Sequence, residues 1–192
     1  MPKDWKELVE TAPTHAYQRK AKAKAQLLAR YVPLKAFKAG SPPSYLYTSG
    51  NLNRCNPRGL ACIYFGEGSE TARAEFDSYY QKALTELGYY ARTHLKAIID
   101  LTDAATCKHF GLTKKDFTRS YAPKSGDLIP LQEIGKAVSR QSNIAAIRFP
   151  SNAMQKAGRV GYNLVVFQDL VSGSDFLEIM DGSKPLERWP KV

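Results

Sequence analysis

The sequence predicts a single α+β domain built on a mixed, largely antiparallel sheet. Short apolar runs of strand composition and amphipathic runs of helical spacing are interleaved without the regular alternation of a parallel α/β fold. Hairpin-like returns appear late in the chain, where strand-like runs follow one another closely. The 192 residues are 43% hydrophobic and 24% charged and show no internal repeat, which suits one core rather than two.

Taken in order, Tyr17 to Tyr31 reads as a helix, with Lys and Ala alternating ahead of Leu27 and Leu28 until Pro33 and Gly40-Ser41-Pro42-Pro43 end it. Residues 1–44 are therefore expected to be a basic, helical N-terminal segment, ahead of a domain over 45–192 within one compact unit. Tyr45–Thr48 has strand composition, 51–59 reads as a polar loop, and Leu60–Phe65 as a buried strand. Gly66-Glu67-Gly68-Ser69 turns the chain into a long helix capped by Ser69, whose stripe of Ala72, Phe76, Tyr79, Tyr80, Ala83 and Leu87 ends at Gly88. His94–Leu101 reads as a strand, with short helical pieces to about Phe117 and an exposed loop over 121–127. Ile129–Gln141 is the next helix, and Ile144–Phe149, Tyr162–Phe167 and Phe176–Met180 are the last strands.

The charge is uneven. Lys and Arg number 28 against 18 Asp and Glu, a net +10, and no acidic residue occurs from Thr11 to Gly66. Such a field suits a polyanion (a nucleic acid, a pyrophosphate-bearing cofactor or an acidic protein), and equally a solvated basic face with no specific ligand. No apolar run reaches the ~18 residues of a membrane span, and the first residues lack a signal peptide's apolar core. With three cysteines, an odd number, the expectation is a reduced, cytoplasmic protein.

Several chemistries are excluded by pattern. Gly66-x-Gly68 lacks the third glycine of a dinucleotide fingerprint, Thr71 standing in its place, and no Walker loop is present. His15, His94 and His109 are scattered and no Cys or His pairing has zinc spacing, so no metal is expected. Cys55 beside Arg54 is either a thiol of lowered pKa or, more simply, inert. Glu75 stands out, because helical spacing sets it one turn from both Ala72 and Tyr79, at the border of the apolar stripe. An exposed flank or a salt bridge to an Arg satisfies the same spacing.

Three stretches together resemble the RES domain, named for its Arg, Glu and Ser. The first runs from Asn53-Arg54-Cys55-Asn56-Pro57-Arg58-Gly59 through Ile63-Tyr64-Phe65 to Thr71-Ala72-Arg73-Ala74-Glu75. The second is Ile98-Ile99-Asp100-Leu101-Thr102-Asp103. The third is Leu131-Gln132-Glu133-Ile134-Gly135, continuing to Ile147-Arg148-Phe149-Pro150-Ser151 and Tyr162-Asn163-Leu164-Val165-Val166-Phe167. The likeness covers about 45–180 in the right order. It departs at Cys55, where an aromatic is common, and in the basic segment before Tyr45.

The resemblance implies a fold related to ADP-ribosyltransferases and a toxin that consumes NAD⁺ as substrate by hydrolysis or phosphorolysis, its partner an antitoxin with an Xre-like domain. Some members are ADP-ribosyltransferases, which share the first chemical step. Carried over residue by residue, the site is Arg54, Tyr64, Glu75, Ser151 and Asn163, with Arg58 either assisting or merely solvated. Nicotinamide leaves NAD⁺ neutral, so the need is to stabilise an oxocarbenium-like ribose, which a carboxylate at Glu75 suits. The Arg54 fork suits a phosphate. Tyr64 would offer a ring or a hydroxyl, or simply be a core tyrosine. Ser151 would orient by hydrogen bonding, or be only a turn serine, and Asn163 would tether the site, or be a strand-edge asparagine. The different-class reading, a basic nucleic-acid binder or RNase toxin, finds no trusted helix-turn-helix and no histidine pair, so direct nucleic-acid binding is not expected.

Overall fold

A computed structural model of the chain describes residues 3–19, 27–38, 44–48, 50–80, 85–122, 126–141, 143–182 and 184–191. Among the described residues eight strands form one sheet: β1 (His15–Arg19), β2 (Leu28–Pro33), β3 (Cys62–Glu67), β4 (Glu86–Asp100), β5 (Ala146–Pro150), β6 (Tyr162–Phe167), β7 (Phe176–Asp181) and β8 (Lys184–Trp189). They run in the order β2-β3-β6-β5-β4-β7-β8, with β1 also on β4. Among the described residues only the β4–β5 pairing is parallel. This is the mixed, largely antiparallel α+β domain that the sequence predicts.

The 15-residue strand β4 organises the sheet, because its two halves have different neighbours. Its first half pairs with β2 and β7, its second with β1 and β5. Since β2 also pairs with β3 through Leu28 and Ala29, the path β2-β3-β6-β5-β4 closes on itself. A closed path leaves fewer unpaired edges. One face carries Ile63, Phe65, Leu164, Val166, Ala146 and Ile98 into a core shared with β1, β2 and β7. The other carries Cys62, Tyr64, Val165, Phe167, Ile147, Phe149 and Ile99 against helices. These are α1 (Trp5–Glu10), α4 (Ala104–Phe110), α5 (Lys114–Thr118) and α6 (Pro130–Val138); α2 (Leu34–Lys38), α3 (Ser69–Tyr80) and α7 (Asn152–Lys156) complete the set.

The sequence reading needs four corrections. The expected helix over 17–31 is flanked by strands instead: Tyr17 lies in β1, and Leu28 to Tyr31 lie in β2. Tyr17, Leu28, Ala29 and Val32 are buried, and ladder partners on β3 and β4 outweigh the helical leaning of the Lys/Ala run. The middle of that run, 20–26, lies outside the described residues. The basic segment is thus woven into the sheet. Second, Tyr45–Thr48 forms no strand, because the Tyr45 and Leu46 N–H groups donate to the Glu187 carboxylate (2.7 and 3.1 Å). Third, the long helix is described as far as Tyr80, the expected stripe residue Ala83 lies outside the described residues, and Leu87 and Gly88 belong to β4, facing Val32 and Tyr31 of β2. Fourth, Tyr79 is not in the apolar stripe; it is 64% exposed, while Thr71, Ala72 and Phe76 are the buried residues of α3. The sequence reading also lacks α1, α7 and β8.

Candidate functional site

Gly66 is the last residue but one of strand β3, and its lack of a side chain decides where α3 goes. A Cβ there would stand 2.4 Å from the Ala72 nitrogen and 2.8 Å from its Cα. The first turns of α3 therefore lie directly on the strand. That docking aims Glu75 at β6, where Asn163 sits opposite Gly66. Glu75 Oε1 accepts from Asn163 Nδ2 (2.8 Å) and from Ser151 Oγ (2.6 Å). Among the described residues Oε2 accepts no hydrogen bond and no cation pairs with this carboxylate, so the salt-bridge reading of Glu75 does not hold.

Ser151 is fully buried and caps α7, its Oγ accepting from Met154 N (3.1 Å), while its own N–H donates to Gly161 O (2.8 Å). With its proton given to Glu75 and a lone pair given to the helix, this hydroxyl is engaged on both sides within the fold.

A second cluster lies two residues along the same face, about 7 Å by strand rise. Tyr64 points to the same side of β3 as Gly66, and its ring meets Phe149 edge-on at 6.2 Å. Its hydroxyl donates to Asn56 Oδ1 (2.7 Å) and accepts from Cys55 N (3.0 Å). Asn56 is buried and spends its amide on Asn51 O and Pro57 O, so the loop over 50–59 is tied from inside. Tyr64 thus shapes the arginine loop, and its hydroxyl is already engaged on both sides. Burial pushes that hydroxyl's pKa well up. Burial likewise pushes the Cys55 thiol up, the nearby Arg54 charge opposing only in part, which leaves Cys55 inert.

Helix α6 braces the loop from outside. Gly135 packs on it so closely that a Cβ would lie 1.7 Å from Cys55 O. Buried Gln132 donates to Asn53 O (2.8 Å) and Tyr121 O (2.7 Å) and accepts from Ile129 N (3.1 Å). Arg54, at the tip, donates to Arg119 O (3.1 Å), and its guanidinium lies 5.7 Å from the Tyr121 ring. No carboxylate pairs with Arg54 among the described residues. Arg58 is exposed on the rim of the loop.

On the opposite face, Glu67 accepts from Tyr17 Oη (2.8 Å) and from Arg148 at both oxygens (2.7 and 3.1 Å), and pairs with Arg19. Arg148 continues to Asp100 (3.0 Å) and lies over the Tyr162 ring at 4.2 Å. Burial raises the Glu67 carboxyl, but bonds to Arg148 and Tyr17 outweigh it and hold the group below its usual range. A cavity of about 280 Å³ adjoins this network, between Arg19, the start of α3 and Val160–Tyr162.

The structure therefore brings Glu75, Ser151 and Asn163 into one hydrogen-bonded group, with Tyr64 two residues along the same face and Arg54 on the loop that Tyr64 holds; Arg58 is exposed on that loop. Sequence reasoning missed Asn56, Gln132 and Tyr121. The one available signal was Gln132, a polar residue at the first turn of an otherwise apolar helix face. Among the described residues no group of three or more His, Cys, Asp or Glu is gathered as metal ligands, and no helix is long and apolar enough to cross a membrane.

No protein-family model matches the sequence, and no curated protein matches it either. Similarity emerges in three dimensions: the chain shares its fold with a chain of the M. tuberculosis MbcT–MbcA toxin–antitoxin complex. The TM-score is 0.65 at 15% identity, over 94% of this chain and 91% of that one.

Proposed function

We propose that this chain is a toxin that cleaves the nicotinamide–ribose bond of NAD⁺. The observation that carries the reading is the Glu75 carboxylate, fixed at Oε1 by two neutral donors and with no bond at Oε2 among the described residues, over the same sheet face from which Tyr64 holds the loop of Arg54, a guanidinium that pairs with no described carboxylate. Neutral donors orient the anion without cancelling its charge. The C–N bond breaks, nicotinamide leaves with the bonding pair as a neutral molecule, and positive charge builds on the ribose. A preorganised carboxylate against that ring favours the transition state over the ground state. Arg54 binds the phosphates through its fork.

The shared fold with a chain of a toxin–antitoxin complex supports the toxin assignment, and with it an antitoxin partner, which the RES resemblance makes Xre-like. The test is a time course of NAD⁺ and free nicotinamide with the purified chain, with and without inorganic phosphate. Equimolar nicotinamide is expected. ADP-ribose as the product identifies water as the acceptor, a phosphorylated ADP-ribose identifies phosphate, and label on protein identifies a transferase. No nicotinamide under any condition rejects the reading.

A further inference from the structure

Two tyrosines link the Glu75 carboxylate to the Arg54 guanidinium. Tyr79 lies one turn beyond Glu75 on α3, so the two share a helix face with their Cβ atoms about 5–6 Å apart. It is 64% exposed, on a helix whose Ala72 and Phe76 are buried. Its hydroxyl lies near enough to that of Tyr121 to help burial raise the Tyr121 pKa, the Tyr121 ring lies beside Arg54, and the Tyr121 carbonyl is pinned by buried Gln132. A row therefore runs carboxylate, ring, ring, guanidinium. Tyr64 has hydroxyl and ring both engaged within the fold; Tyr79 touches the Tyr80 ring edge-on at 4.8 Å and leaves most of its own surface open along this row.

Building on the cleavage reading, we infer that Tyr79 and Tyr121 form the ring-binding wall of the site, with the pyridinium of the dinucleotide lying against Tyr79. The ribose it is joined to then faces Glu75, and the phosphates reach Arg54. The face of a phenol attracts a cation. The pyridinium is cationic until its bond to ribose breaks, and nicotinamide is neutral afterwards. The contact therefore holds substrate and lets product go, so its loss raises KM more than it lowers kcat.

The test is calorimetric titration of Glu75→Gln, which keeps the ligand intact, alone and combined with Tyr79→Phe or Tyr79→Ala. The probes are NAD⁺, NADH and ribose 5-phosphate. Tyr79→Ala should weaken NAD⁺ binding about tenfold and reduce its preference over NADH, while Tyr79→Phe and ribose 5-phosphate binding stay close to the parent. Unchanged NAD⁺ affinity in Tyr79→Ala, an equal loss for ribose 5-phosphate, or no NAD⁺ binding by the parent overturns the wall. Nicotinamide release is read separately with Glu75 intact. Tyr79-dependent binding without release rejects cleavage and upholds the wall; release with a KM indifferent to Tyr79→Ala does the reverse.

Discussion

Glu67 and Glu75 lie eight residues apart on consecutive elements, and the fold treats them in opposite ways. Glu67, on one face of the sheet, is enclosed by Tyr17, Arg19 and Arg148, and its charge is neutralised by two guanidinium groups. Among the described residues Glu75, over the other face, meets only a hydroxyl and an amide, both on the same oxygen. The first carboxylate ties β1, β3, β4 and β5 together through its network. The second is oriented but not neutralised, which is what an electrostatic role toward a bound ligand requires. Neighbouring carboxylates on one chain can thus divide into structure and chemistry by the type of donor each receives.

Breaking Glu67 should separate these roles most sharply. Glu67→Gln leaves Arg19 and Arg148 without the charge they surround and should cost about 3 kcal/mol of stability, read by denaturant unfolding. Turnover per folded molecule should hold within a fewfold; a hundredfold loss would erase the contrast. The pH dependence follows from the same group. Its folded pKa lies below the unfolded one, so the stability it supplies is present above about pH 4.3 and is lost as pH falls through the lower folded value. Wild type should therefore lose stability in that acid window, and Glu67→Gln should lose less.

Gly66→Ala sharpens the comparison from the other side. The new Cβ meets the α3 backbone and should cost about 1–3 kcal/mol. It should also displace Glu75, and a shift of about 1 Å can lower turnover by about a hundredfold, read as kcat per folded molecule. A stable variant of normal kcat would show that α3 docking does not set the carboxylate.

A smaller effect is expected from Tyr64→Phe. Losing the hydroxyl leaves Asn56 Oδ1 and Cys55 N unsatisfied, at about 1–2 kcal/mol. The loosened arginine loop should appear in KM rather than kcat, which steady-state kinetics would show.

Much of the sheet was legible because burial imposed period-two or continuous apolar runs on β5, β6 and β7. The meeting of Glu75, Ser151 and Asn163 followed the order of motifs along the chain. What was not legible depended on partners distant in sequence. The flanks of the Lys/Ala run became β1 and β2 because β4 offered ladders to Tyr17 and to Leu28–Pro33, against local helical propensity. Leu87 looked like the end of a helical stripe until β2 claimed it. Glu67 and Arg148 meet across 81 positions, and Gln132 reaches Asn53 across 79, with no local spacing to announce either contact.

The central claim is tested most directly by the rate of nicotinamide release from NAD⁺ by Glu75→Gln, scaled to folded protein and set beside wild type. A fall of about a hundredfold or more, with unfolding free energy nearly unchanged, is the expected result. A folded Glu75→Gln protein that releases nicotinamide as fast as wild type would contradict the account.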